Sequence, residues 1–315
     1  MLPVELKRTT VQLPETDRHT IVLVTGNNPR HTRFAYRIIR EFGDQVVAWY
    51  QFDPSMKSAN LAPSTGTPAP GSGRVRKVVQ RVLPSIRQKG VITFGKQVLQ
   101  GAKSWYYVRK HYKSHLEAER RLFAKELALL EPYIHLAPIR IPMGFVHEDA
   151  FVEQLKQHDP YFFLTLGGPL YKKKVLDAVR GAAINQHAGH SPEYKGSQTV
   201  EWALYHRDLR HLSATVHLTG TGADSGPILR RSAPCLFPTD DVPTIFARVV
   251  AVGTELMIEA VHGIVANKEV AVFEQPATEG RTYLSKELDN GVLPFILSDF
   301  RSGWLAKALL KQRSY

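Results

Sequence analysis

A single cysteine, Cys235, stands in a chain of 315 residues. That excludes an internal disulfide and a cysteine-rich metal site, and it suits a reducing compartment. Cys235 lies in the apolar-flanked stretch Ala233 to Phe237, which reads as a small packed side chain before it reads as a nucleophile. Also missing is any uninterrupted run of about 18 apolar residues, and the first twenty residues have no secretory apolar region. Neither export nor membrane spanning is expected, and the cytoplasm is the expected location. Acidic residues are scarce: 29 Asp and Glu face 41 Lys and Arg, for a net charge of +12. The shortage is local. Between Gly71 and Glu126, 14 Lys or Arg meet only Glu117, Glu119 and Glu126, so this segment carries +11 of the total.

What is present is an ordinary folding composition, 43% hydrophobic and 22% charged, which argues against a mainly disordered chain. The length allows one large α/β domain with a decoration. Ile21 to Thr25 is a short apolar run ending at Gly26-Asn27-Asn28-Pro29, and Phe34, Ile38, Ile39 and Phe42 follow at helical spacing. Gln45 to Phe52 supplies a second buried-type strand, giving a βαβ opening. Ser55 to Gly73 reads as a flexible connection, and Val75 to about Leu130 as two or three basic helices carrying Trp105, Tyr106 and Tyr107. Strands at Pro138 to Pro142, Tyr161 to Leu166 and Ala182 to Ile184 then each deliver the chain to a loop, where open α/β sheets bind ligands. The expected fold is α/β and Rossmann-like, with a mostly parallel central sheet. The expected domain is discontinuous, 18–53 and 127–283, with 54–126 as linker and basic insertion and 284–315 as an extension.

The segment from Gly181 holds four separated pieces: Asn185-x-His187; Pro192, Tyr194 and Gly196 of a loop; Thr215-Val216-His217; and Asp224-x-Gly226-Pro227-Ile228. In this order and spacing they resemble the folate-dependent formyltransferase family. Weaker similarity extends to the opening strand and helix, to Gly167-Gly168-Pro169-Leu170 and to Gly280-Arg281-Thr282-Tyr283. Where that family usually has Pro-Ser-Leu-Leu-Pro, this chain has Ala188-Gly189-His190-Ser191-Pro192.

The resemblance implies a catalytic triad of Asn185, His187 and Asp224, with no metal, and the chemistry suits those types. An amine attacking a formyl carbon builds an oxyanion and sheds a proton. Asn185 can donate hydrogen bonds, His187 can stabilise charge or shuttle a proton, and Asp224 can orient the imidazole and take up the proton. The donor implied is 10-formyltetrahydrofolate, its pterin against Gly167, Gly168, Pro169, Leu170 and Tyr171 and against Thr221, Gly222, Ala223 and Asp224. Candidate acceptor contacts are Asn27, Asn28, Arg30, His190 and Tyr194; the first three stand where a phosphate would meet a helix N-terminus. His217 reads equally as a structural histidine or as a support for the triad, and Trp202 as a core anchor.

The expected acceptor is a small primary amine, an amino sugar on a nucleotide-linked or lipid-linked precursor. Formyltetrahydrofolate hydrolysis, methionyl-tRNA formylation and a non-catalytic membrane-associated binding protein are the alternatives. Hydrolases of this kind usually carry an N-terminal regulatory domain, and here the first strand is expected near Ile21. The basic helices read first as a solvated charged face, next as a surface that meets an anionic membrane through residues 74–125, and least as a nucleic-acid face.

Overall fold

The structure, a computed structural model, describes residues 5–56, 91–267, 269–276, 279–288 and 291–312. The expected connection Ser55 to Gly73 and the first part of the basic segment lie outside the described residues, as does the Trp105 side chain. In chain order the elements are β1 (Lys7–Gln12), β2 (Ile21–Thr25), α1 (Pro29–Phe42), β3 (Val46–Phe52), α2 (Val91–Leu130), β4 (Ile139–Ile141), α3 (Asp149–His158), β5 (Phe162–Leu166), α4 (Lys173–Leu176) and β6 (Ala182–His187). They continue with β7 (Tyr194–Gly196), α5 (Thr199–Tyr205), β8 (Ala214–Leu218), β9 (Ile228–Ser232), α6 (Val242–Ala266), β10 (Glu269–Glu274), β11 (Arg281–Tyr283), α7 (Val292–Arg301) and α8 (Trp304–Gln312).

Nine strands form one sheet in the order β1-β10-β9-β8-β6-β5-β2-β3-β4. The run β6-β5-β2-β3-β4 is parallel, and β8, β9, β10 and β1 are added antiparallel. Every residue of β2 and β5 is buried, which is why both read as unbroken apolar runs and not as alternations. One face packs Phe34, Ile38 and Trp49 with Val249 and Met257 of α6. The other packs Val22, Val24 and Phe163 against Phe151 and Leu155 of α3. The chain leaves β2 toward β3 on one side and returns through β5 on the other, so the order reverses between β2 and β5. That crevice is where such sheets bind ligands.

Four expectations need correction. A strand, β1, precedes Ile21 and pairs with β10 along its whole length; its half-exposed edge position gave it no apolar run to detect. The basic segment resolves, from Val91 onward, into one continuous 40-residue helix that passes the expected boundary at Glu126 and packs on α1 and α6. Asn185 and His187 belong to β6 itself, not to a loop beyond it. Cys235 is exposed.

Helix α6 is long and apolar enough to cross a membrane, with a mean hydropathy of 1.6 over its most apolar window. Its packing is that of a core helix: it lies on β8, β9, α1 and α2, with Val249, Met257 and Val261 fully buried.

Candidate active site

Sheet register builds the site. Thr165 of β5 pairs with Asn185 of β6, and Asn185 pairs with His217 of β8, so three polar side chains form a row across three strands. Thr165 Oγ1 donates to Asn185 Oδ1 at 2.9 Å. That fixes the amide, whose Nδ2 lies 3.2 Å from His217 Nε2 and donates to Asp224 Oδ1 at 3.3 Å. His217 Nδ1 donates to the Leu218 carbonyl at 2.8 Å, and its Nε2 lies within reach of both Asn185 Nδ2, at 3.2 Å, and Asp224 Oδ1, at 3.4 Å.

His187 is two residues along β6 and therefore on the same face as Asn185. Its Nδ1 is 3.2 Å from Asp224 Oδ2 and its Nε2 is 2.9 Å from the Tyr194 carbonyl oxygen. Each ring nitrogen thus faces an oxygen acceptor, which fixes the plane of the imidazole. Gly189 makes room for it: a Cβ there would come within 2.2 Å of His187 Nε2.

Asp224 sits in the left-handed region at φ 46°, in a loop closed by Gln275, whose Nε2 donates to the Asp224 and Gly226 carbonyls at 2.9 and 2.6 Å. Gly226 is required here because a Cβ would fall 1.7 Å from the Leu218 carbonyl oxygen. The Asp224 Oδ2 also accepts the Gly196 N–H at 2.8 Å, and β7 is held in place by pairing with β11. Burial alone would raise the Asp224 pKa; the charge of His187, the hydrogen bond and charge of His217 and the Gly196 N–H outweigh it and hold the carboxyl well below the usual range. Asp224 is therefore an anion that orients and stabilises, and its affinity for a proton is low.

These three residues line a cavity of about 720 Å³, within the ordinary range for a small-molecule site. Gly167 to Tyr171, Gly222, Ala223, Asn28 and Arg30 line it too. Gly167 and Gly168 both have positive φ, and a Cβ on Gly168 would meet the Phe52 ring at 2.8 Å, so this loop demands glycine. At its wall Tyr171 Oη and Thr219 Oγ1 are buried polar atoms without a hydrogen-bond partner among the described residues. Thr221 and Asn27 do not line the cavity. Arg30 does, but its guanidinium is paired with Glu119 at 2.5 Å and its backbone N–H with the same carboxylate at 3.2 Å, so α2 occupies the expected phosphate position with an internal anion.

His190 and Tyr194 are turned elsewhere. His190 Nδ1 pairs with Ser213 Oγ at 2.8 Å and its ring meets that of His211, while burial, with the charges of Arg231 and His211, pushes its pKa down to about 3. The Tyr194 ring stacks on Tyr283 at 5.7 Å and borders a second cavity of about 550 Å³ with His206 and Trp304. Trp202 is buried and stacked on Tyr283 at 4.8 Å, as a core anchor should be.

Among the cavity-wall residues that sequence reasoning missed are three histidines and a glutamate. His31 accepts the Asn28 N–H on Nδ1 at 3.1 Å, and burial with the charge of Arg30 holds its pKa well below 6.5. The spacing Asn28-x-x-His31 was a capping signal. His111 and His115 of α2 and Glu201 of α5 also face the cavity, and the pair at i, i+4 was visible in the sequence. Burial lowers His115 to about 4 against the opposing charge of Glu201; burial would raise Glu201, but the hydrogen bond and charges of the two histidines hold it at about 2.

Comparison with known proteins follows from this geometry. Residues 142–261 match the formyl transferase family. The matched stretch takes in Gly167 to Tyr171, Asn185, His187, His217 and Asp224. Among curated relatives, the methionyl-tRNA formyltransferase of Pelobacter propionicus is 28% identical over 156 residues, covering 49% of this chain and 46% of its own. That of Thermodesulfovibrio yellowstonii is 30% identical over 137 residues, 43% of each chain. The chain thus spans less than half the length of these relatives. Among solved structures, a sugar N-formyltransferase from a Shewanella species aligns with a TM-score of 0.47 at 12% identity, over 85% of this chain and 78% of the other. The phosphoribosylglycinamide formyltransferase of Streptococcus pneumoniae aligns with a TM-score of 0.43 at 16% identity, over 78% of this chain and 99% of its own.

Proposed function

We propose that the protein transfers a formyl group from 10-formyltetrahydrofolate to a primary amine, with an amino sugar on a nucleotide-linked or lipid-linked precursor as the acceptor. The observation that carries this reading is the meeting of Asn185, His187 and Asp224 in one cavity with the glycine loop Gly167 to Tyr171. In the reaction the amine nitrogen bonds to the formyl carbon, the bond from that carbon to N10 of the folate breaks, and the amine proton ends on N10. Asn185 and His187 bracket the position where the oxyanion forms; the Asn185 amide, bonded to His217 and Asp224, donates to the oxyanion by exchanging one of these partners, and such a donor acts strongly in a site shielded from water. Asp224 keeps the imidazole in place. The unpartnered Tyr171 and Thr219 hydroxyls suit a polar heterocycle such as a pterin.

On the acceptor side, α2 closes the cavity with Tyr112 and Leu116 as well as His111 and His115. These residues lie outside the stretch that matches the family, so acceptor choice falls to a part of the chain that the match does not cover. A second reading, formylation of methionyl-tRNA, is favoured by the names of the curated relatives and by the basic outer face of α2.

The deciding experiment incubates the protein with 10-formyltetrahydrofolate and a panel of amino-sugar nucleotides, glycinamide ribonucleotide and charged initiator tRNA while following tetrahydrofolate release. Release with an amino-sugar nucleotide supports the first reading, and release with tRNA the second. Release without any acceptor would make the protein a hydrolase. No release and no folate binding would end the enzymatic reading.

A further inference from the structure

On the wall of the same cavity stands a cluster that takes no part in the bond-making and bond-breaking of formyl transfer. His111 and His115 lie one turn apart on α2, and Glu201 reaches them from α5. One ligand atom from each lies within 4.8 Å of the others. His111 Nε2 is 2.9 Å and His115 Nε2 3.4 Å from the same Glu201 oxygen, and the two rings are 4.2 Å apart.

A simple ion pair leaves this arrangement incomplete. His115 Nε2 and Glu201 Oε2 are buried with no hydrogen-bond partner among the described residues, and Glu201 is only 2% exposed. A buried polar atom left in that state keeps its desolvation cost with no bond to offset it. A single cation between the three side chains would engage both imidazoles and the carboxylate together. Tetrahedral zinc, with bonds of about 2.0–2.1 Å, sets its ligand atoms roughly 3.3 Å apart. The observed separations of 2.9 and 3.4 Å bracket that value. Two histidines at i, i+4 on one helix face with a carboxylate from a second element form a ligand set that zinc takes while keeping a fourth position open.

We propose that His111, His115 and Glu201 bind one divalent cation of the zinc class, with its remaining coordination position open to the cavity. All three side chains line that cavity, so water or an oxygen of a bound ligand can take the open position. The proposal does not depend on the formyl-transfer reading.

A second group, His190, Glu193 and His211, satisfies the same distance criterion but has its cation already: Arg231 Nη1 lies 3.9 Å from Glu193. Its histidine Nε2 atoms also stand farther from Glu193, at 3.7 Å for His190 and 4.0 Å for His211, than the roughly 3.3 Å that a tetrahedral site sets. It borders neither cavity, so it serves as an internal control.

The test uses untagged full-length protein, stripped with a chelator and titrated with Co²⁺ and then Zn²⁺. One equivalent of Co²⁺ should give the intense visible absorption of a four-coordinate site, and Zn²⁺ should displace it. His115→Ala and Glu201→Gln should each lose the one-equivalent site, while His190→Ala keeps it. Absence of one-equivalent binding in the unaltered protein at micromolar metal would overturn the proposal, as would retention of the site in folded His115→Ala. If that variant fails to fold, the Co²⁺ complex of the unaltered protein decides: paramagnetically shifted proton signals from two imidazoles support the site, and their absence overturns it.

Discussion

Glu119 of α2 receives both the guanidinium of Arg30, at 2.5 Å, and the Arg30 backbone N–H, at 3.2 Å, while being itself fully buried. The N-terminus of α1 thus has its anion supplied from a helix 89 residues along the chain. Removing one partner of a buried pair leaves the other uncompensated, at a cost of about 3–5 kcal/mol. Arg30 keeps 20% of its side chain exposed, so the lower end applies. Glu119→Ala should lower the free energy of unfolding in urea by about 3 kcal/mol. It should also create an anion site, detected as stabilisation of the variant, and not of the parent, by millimolar phosphate.

Gly189 bears on catalysis through the space it leaves. An alanine Cβ there would fall 2.2 Å from His187 Nε2 and 2.5 Å from Thr199 Oγ1, so the imidazole must move. A displacement near 1 Å in a catalytic constellation costs on the order of 100-fold in rate. Gly189→Ala should therefore reduce tetrahydrofolate release by about that factor while its circular dichroism stays native. An unchanged rate would remove His187 from the mechanism.

Asn185 links Thr165, His217 and Asp224 through one amide group. Asn185→Ala should lower the turnover number about 100-fold to 1,000-fold, as loss of an oxyanion donor does, with a much smaller change in folate affinity. Thr165→Val keeps the shape and frees the amide oxygen, so the side chain can rotate. A smaller loss of turnover, again with folate affinity nearly intact, is expected for it.

These two substitutions also show what could be read from sequence. Asn185, His187, His217 and Asp224 could be picked out because short separated motifs resemble the formyltransferase family, and the structure brings their side chains together through the register of β6 and β8. Apolar continuity revealed β2, β3 and β5. Helix α2 hid its role, since its inward face carries His111, His115, Glu119 and Glu126, and a search for apolar periodicity reads such a face as solvent. Arg30 misled for the same reason: an arginine at a helix start looks available until its long-range partner is known. Edge strand β1 paired with a segment more than 250 residues distant, which no local pattern records.

Acid should destabilise the protein from two directions that add. His31 and His190 have folded pKa values below the unfolded value of about 6.5, the first mainly through burial with the charge of Arg30, the second at about 3 through burial and the charges of Arg231 and His211. Below about pH 6.5 the unfolded chain binds their protons first, so stability present above that pH falls as pH drops toward the folded values, by up to about 1.4 kcal/mol per unit for each group. Asp224 is also depressed, so its contribution is complete above about pH 4 and is lost below it. Urea midpoints measured from pH 8 to pH 4 should be flat at the top and fall from about pH 6.5. His31→Gln should reduce the slope between pH 6.5 and pH 4.5, and an unchanged slope would show that His31 is protonated in the folded state.

The basic segment changes character once direction is known. Of its three acids, Glu119 pairs with Arg30 and Glu126 with Arg33, both on the inner face of α2. On the described outer face Arg109, Lys110, Lys113, Arg120, Arg121 and Lys125 are exposed, with Glu117 beside Lys113 as the one exposed acid. Tyr106 and Leu122 are exposed among them, at 56% and 37%, so the face has both the charge and the apolar contacts that an anionic membrane surface attracts. Each basic residue near such a surface contributes about 1 kcal/mol. Reversing Lys110, Arg120 and Lys125 to Glu should then weaken binding to phosphatidylserine-containing vesicles by about 100-fold or more, with tetrahydrofolate release unchanged because none of the three lines the cavity. The check is co-sedimentation at two salt concentrations. Binding that ignores salt, or that is equal on phosphatidylcholine vesicles, would remove the membrane reading and leave the same cations as a surface for tRNA, whose binding the same three substitutions should then weaken.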